Sequence, residues 1–104
     1  MQNIKEKLKN TLTEVEEVVE LFYQQKNKEA YLKMNDVISS LVDTINTLYI
    51  YKTEDDTFEF NENMLKNALT ETLSALEAGD TILLADILRY EIIEQFEKML
   101  SSLN

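Results

Sequence analysis

Ile4, Leu8, Leu12, Val15, Val19 and Phe22 recur at steps of 4, 4, 3, 4 and 3. That is the period of one helical face and predicts a first helix over about residues 3–26. Val18, Leu21 and Tyr23 widen the stripe, while Glu14, Glu16, Glu17 and Glu20 fall largely off it. A second stripe runs through Ala30, Tyr31, Met34, Val37, Ile38, Leu41, Val42, Ile45, Leu48 and Tyr49, with steps of 1 and 3. It predicts a helix over about residues 27–51, with Lys33, Asp36, Ser40, Asp43 and Asn46 mostly opposite. The polar run Gln-Gln-Lys-Asn-Lys separates the two, and Asn27 is the expected N-cap because its side chain can accept from an orphan backbone N–H. A link this short makes the helices antiparallel neighbours. One continuous helix is the alternative, since neither glycine nor proline forces the break.

Residues 52–60 lose the helical period. Thr53, Asp55, Asp56 and Thr57 favour turns and caps, so this stretch reads as the longest connection and a mobile-loop candidate. Thr57-Phe58-Glu59-Phe60 alternates polar and apolar, which permits a short extended piece, with both phenylalanines tucked onto the core. Asn61 caps a third helix with the stripe Leu65, Ala68, Leu69, Leu73 and Leu76. Thr72 lies on the same side, where a buried hydroxyl needs a partner. Gly79 supplies the left-handed residue that ends a helix, and Asp80 or Thr81 caps a fourth running to about Ser101. The fold class expected is therefore all-α: one domain, residues 1–104, an antiparallel four-helix bundle of two hairpins joined by a longer loop. Its core is expected from Leu12, Val15, Val19, Phe22, Val37, Leu41, Ile45, Leu69, Leu73, Leu84, Leu88, Ile92 and Phe96. The fourth helix is apolar around most of its surface, which predicts self-association, with a dimer favoured.

Composition removes much catalytic chemistry. The 104 residues contain no cysteine and no histidine, so disulfides, thiol catalysis and Ser-His-Asp machinery are ruled out within one chain. Without cysteine nothing points to an oxidising compartment, and the cytoplasm is the expected location. The formal charge is −10, the wrong sign for phosphate or an anionic membrane surface. Lys5, Lys7 and Lys9 are the best basic patch, but spacing by two scatters them around a helix. Residues 1–52 carry 7 basic and 8 acidic side chains, residues 53–104 carry 3 and 12, so the charge sits in the second half. The longest apolar runs, residues 48–51 and 82–85, are too short for a bilayer. No metal, cofactor, nucleic acid or membrane is expected.

Three groups of residues are candidates for function. Glu54, Asp55, Asp56, Glu59 and Glu62 form an acidic cluster, but a calcium loop also needs a central glycine and alternate ligands, both missing. It reads as a solvated loop. Asp86, Arg89, Tyr90 and Glu91 interrupt a very apolar helix. Their structural reading is a polar contact that fixes helix register, and their functional reading is partner recognition. Tyr49 and Tyr51, near a helix end, suit an interface or simply close the bundle.

The run at residues 75–92, Ala-Leu-Glu-Ala-Gly-Asp-Thr-Ile-Leu-Leu-Ala-Asp-Ile-Leu-Arg-Tyr-Glu-Ile, resembles a segment of small, uncharacterised acidic helical proteins of Gram-positive bacteria. That resemblance covers one helix and its cap and implies no activity. In size and charge the layout is similar to flagellar export chaperones, short helical proteins that bind the ends of filament subunits. Three function classes follow: a non-enzymatic interaction module, foremost; a secretion-type chaperone for a helical client; and a ligand binder or enzyme using carboxylates and tyrosines.

Overall fold

The computed structural model describes residues 4–55 and 57–103. Those residues form four helices and no strand. Helix α1 spans Ile4–Tyr23, α2 spans Asn27–Glu54 and α3 spans Glu62–Ala78. Helix α4, residues 81–102, is α-helical over Thr81–Ile87, π-helical over Leu88–Ile93 and α-helical again over Glu94–Ser102. The longest extent of the molecule, 40 Å, is close to the length of α2 at about 1.5 Å per residue.

The break between α1 and α2 is a Schellman turn. The Gln25 amide donates to the Phe22 carbonyl and the Lys26 amide to the Leu21 carbonyl. These bonds require a left-handed residue, and Gln25 takes that place at φ 62°. This settles the choice between two helices and one. It also corrects the expected cap. Lys26 occupies the N-cap of α2 and its side chain caps nothing, while the Asn27 Oδ1 is buried without a hydrogen-bond partner.

The other caps fall where expected. Asn61 accepts from the Met64 amide at 3.0 Å, and Asp80 from the Leu83 amide at 3.1 Å. Gly79, at φ 71°, closes a second Schellman turn, with its amide on Leu76 and that of Asp80 on Ala75.

Helix α1 lies at the centre, packed against α2 and α4, while α3 packs on α4. Contacts across α1 and α2 join Phe22 to Tyr31, Glu14 to Ser40, Thr11 to Thr44 and Lys7 to Asp43. From Phe22 to Thr11 the α1 number falls while that of its α2 partner rises from 31 to 44. Val15, Val19, Phe22, Val37, Leu41, Ile45, Leu84, Leu88, Ile92 and Phe96 are buried as expected, and Leu12 and Leu69 partly so. Leu73 is the correction: it is 44 % exposed, and Thr72 is buried in its place. The Thr72 hydroxyl donates to the Ala68 carbonyl at 2.7 Å, so burial leaves it satisfied.

The π turn in α4 has a readable cause. Leu84, Leu88, Ile92 and Phe96 are all fully buried and spaced by four. Each four-residue step in an α-helix overshoots one turn by about 40°. Three such steps would swing the stripe off the core. A wider i→i+5 turn absorbs the overshoot and keeps all four on one face.

Candidate functional site

The π turn carries Arg89, Tyr90 and Glu91, three of the residues that interrupt the apolar pattern of α4. Asp86 lies one turn earlier and accepts a hydrogen bond from the Tyr23 hydroxyl at 2.8 Å. Tyr23 comes from the last turn of α1, 63 residues away in sequence. Desolvation first, and then donation to Asp86, push the Tyr23 phenol up to about 12. Arg89 lies 5.9 Å from the Tyr90 ring centroid, a cation–π distance.

Apolar surface flanks this polar cluster. Ile82 is 74 % exposed, Tyr90 59 %, Leu83 48 % and Tyr23 45 %. The other large apolar residues of α4 are buried, Leu100 partly. The uncovered apolar surface of α4 is thus concentrated at Ile82, Leu83 and Tyr90.

Glu91 faces another way. Its carboxyl meets that of Glu71 on α3, and desolvation followed by hydrogen bonding to Glu71 raises it above the usual glutamate range. Asp86, Arg89 and Tyr90 therefore form one cluster with Tyr23, and Glu91 belongs to the seam with α3.

Tyr49 and Tyr51 are placed elsewhere. Tyr49 packs edge-on against Phe60 and Tyr51 edge-on against Phe58, and Phe58 and Phe60 lie 5.7 Å apart. Lys66 sits 5.9 Å from the Tyr49 ring, and Lys52 donates to the Phe58 carbonyl at 2.5 Å. Both tyrosines are half-buried in an aromatic knot that pins the connection between α2 and α3. The knot packs both phenylalanines inward without a strand. The six candidates thus divide among three places.

Of the acidic cluster, Asp56 lies outside the described residues. Asp55 accepts from the Thr57 hydroxyl at 2.5 Å and amide at 3.0 Å, which hold its carboxyl below the usual range. Among the described residues no three Asp or Glu side chains converge as a metal site would require. No described helix is long and apolar enough to cross a membrane.

Tyr23 is the residue of the cluster that sequence reasoning passed over. It reads only as a widening of the α1 stripe, and nothing local announces a partner 63 positions on.

The family model described as a domain of unknown function (DUF8042) matches residues 1–102, nearly the whole chain. The chain belongs to the DUF8042 family. Neither a curated protein nor a solved structure matches it.

Proposed function

We propose that this chain is a non-enzymatic protein-interaction module, folded as an antiparallel four-helix bundle in one domain. The opposed numbering of the contacts supports the topology: Phe22 with Tyr31 and Thr11 with Thr44 in one hairpin, Met64 with Gln95 and Glu71 with Glu91 in the other. The observation that carries the function is the exposed group of Ile82, Tyr90 and Tyr23 around Asp86 and Arg89. Tyrosine and arginine dominate interface hot spots because they combine large contact area with a polar tip. An apolar cluster left in water marks a surface that gains by being covered. The lack of histidine and cysteine, the acidity and the cytoplasmic setting inferred from cysteine usage belong to the same reading.

A secretion-type chaperone with a helical client is the special case in which the partner is aggregation-prone. Self-association as a dimer is the second reading, favoured by the exposure of Ile82, Leu83 and Tyr90.

The test is affinity capture from native lysate with the wild-type chain and with an Arg89→Ala, Tyr90→Ala double variant. A stoichiometric partner held by the wild type and lost by the variant supports the module. Retention of the same partner by the variant sinks the assignment to this face. Recovery of the bait alone, in multiples of itself, selects the dimer.

A further inference from the structure

Beside the Tyr23–Tyr90 face, on the other flank of α4, a groove of about 390 Å³ runs between α4 and α3. Ala75 and Ile87, both buried, form its floor, and Leu83 stands along it as an exposed wall. Ser74 and Ala78 keep the α3 side low. Small side chains let a third helix approach closely, because interaxial distance is set by the residues at the contact. The lining on α3 runs from Thr70 to Ala78, about 12 Å or two helical turns.

We propose that this groove receives a basic amphipathic helix from another polypeptide, its apolar side chains set against Ala75, Leu83 and Ile87. The shape suits helix-in-groove recognition, in which a few i, i+3, i+4 anchors enter an apolar channel. The charge selects the partner. Glu71 and Asp80 line the groove, and Glu71 is pressed against Glu91. A lysine or arginine placed there forms ion pairs with the Glu71 and Asp80 carboxyls that line the groove.

The hairpin has little cation of its own to offer. Residues 53–104 hold three basic side chains against 12 acidic ones. Lys66 sits at Tyr49, Arg89 at Tyr90, and Lys98 lines a separate hollow with Glu59 and Glu62. A second copy of the chain would bring another −10 to the same place, which argues for a basic partner over a homodimer here. The acidic hollow between α1 and α2 is a weaker candidate. Lys33 stands within it, and Ser40 already donates to Glu14.

This inference rests on reading α4 as the interaction helix, and the two can fail separately. The full chain, labelled with ¹⁵N, is titrated with a synthetic Leu/Lys amphipathic peptide of about four turns. The controls are a scrambled peptide of equal composition and one with glutamate for lysine. Amide shifts are expected at Ala75, Ala78, Leu83 and Ile87, with neither control binding. The double variant Glu71→Gln, Glu91→Gln and the groove-filling Ser74→Trp should each weaken binding about tenfold or more. Their own spectra verify that the fold is kept. Shifts centred on Tyr23 and Tyr90 would leave the α4 reading standing and remove the groove. Shifts at Glu14 and Asp36, equal binding of the scrambled peptide, unchanged affinity of both variants, or no shifts at all would overturn the proposal.

Discussion

The two helix pairs, α1 with α2 and α3 with α4, spend their polar groups differently. Across α1 and α2 the charge nearly balances, and polar side chains tie one helix to the other: Lys7 to Asp43, Glu14 to Ser40 and, inside the core, Thr11 to Thr44 at 2.7 Å. Across α3 and α4 the charge is strongly negative and a carboxyl faces a carboxyl. Apolar surface stays uncovered there at Ile82, Leu83 and Tyr90. The first pair also exposes Leu32, Val42 and Ile50 on α2 and buries the Asn27 Oδ1 without a partner, but its charge is nearly balanced. The other keeps unmatched charge beside exposed apolar area, a combination that costs stability alone and gains by association. On the interaction-module reading proposed above, the charge contrast favours the second half of the chain for the partner-facing surface.

The sharpest way to break this comparison is to remove half of the Thr11–Thr44 pair. Both hydroxyls are buried and each is the other's partner. Thr44→Val leaves the Thr11 hydroxyl in the core with its partner gone, at an expected loss of about 1–3 kcal/mol in chemical denaturation. Replacing both by valine should return stability to near wild type, because no polar group is then stranded. A double variant as unstable as the single one would show that the pair does not act as a matched unit.

The turns give the next effect. The turns after α1 and after α3 are made by the same two hydrogen bonds, yet one left-handed position holds Gly79 and the other Gln25. A Cβ at Gly79 would meet only the Tyr31 hydroxyl, at 3.9 Å, so space is not the obstacle. The left-handed backbone is, and Gly79→Ala should cost about 1–2 kcal/mol. Gln25→Gly removes the same strain and should stabilise by a fraction of that, since glycine also frees the unfolded chain. Thermal melts shifting in the same direction for both variants would contradict the shared turn geometry.

These turns also mark what the sequence could and could not reveal. Helix periods, Asn61, Gly79 and Asp80 were legible because each signal is local, a stripe or a residue with one preferred backbone role. The Gln25 turn was not, because glutamine carries no left-handed preference and the bonds around it are main-chain. Leu73 misled because hydropathy ranks it above Thr72, while the backbone turns Thr72 inward and lets Ala68 satisfy its hydroxyl. The four-residue spacing of Leu84, Leu88, Ile92 and Phe96 did contain the π turn. The site was half legible. Asp86, Arg89 and Tyr90 stood out as polar breaks in an apolar helix, but Tyr23 joins them only through the fold, and Tyr49 and Tyr51 serve another end of it.

The smallest effect tests the link between α1 and α4 at Tyr23 and Asp86. The phenol is neutral when it donates, and the folded state holds its proton up to about 12 instead of the ordinary 10.0. A raised folded value means that the contribution to stability is fully present below the unfolded value. It is lost as pH rises from 10.0 through about 12. Tyr23→Phe should abolish this part of the alkaline decline, leaving a curve that converges with wild type above that window. The difference is small because Tyr23 is 45 % exposed and solvent screens the pair. Phenolate absorbance gives the direct reading. Tyr23 should ionise late in the wild type, and Asp86→Asn should bring it part of the way back toward the ordinary value. If Asp86→Asn leaves that late titration unmoved, the carboxylate is not what holds the proton, and the tie between α1 and α4 reduces to packing.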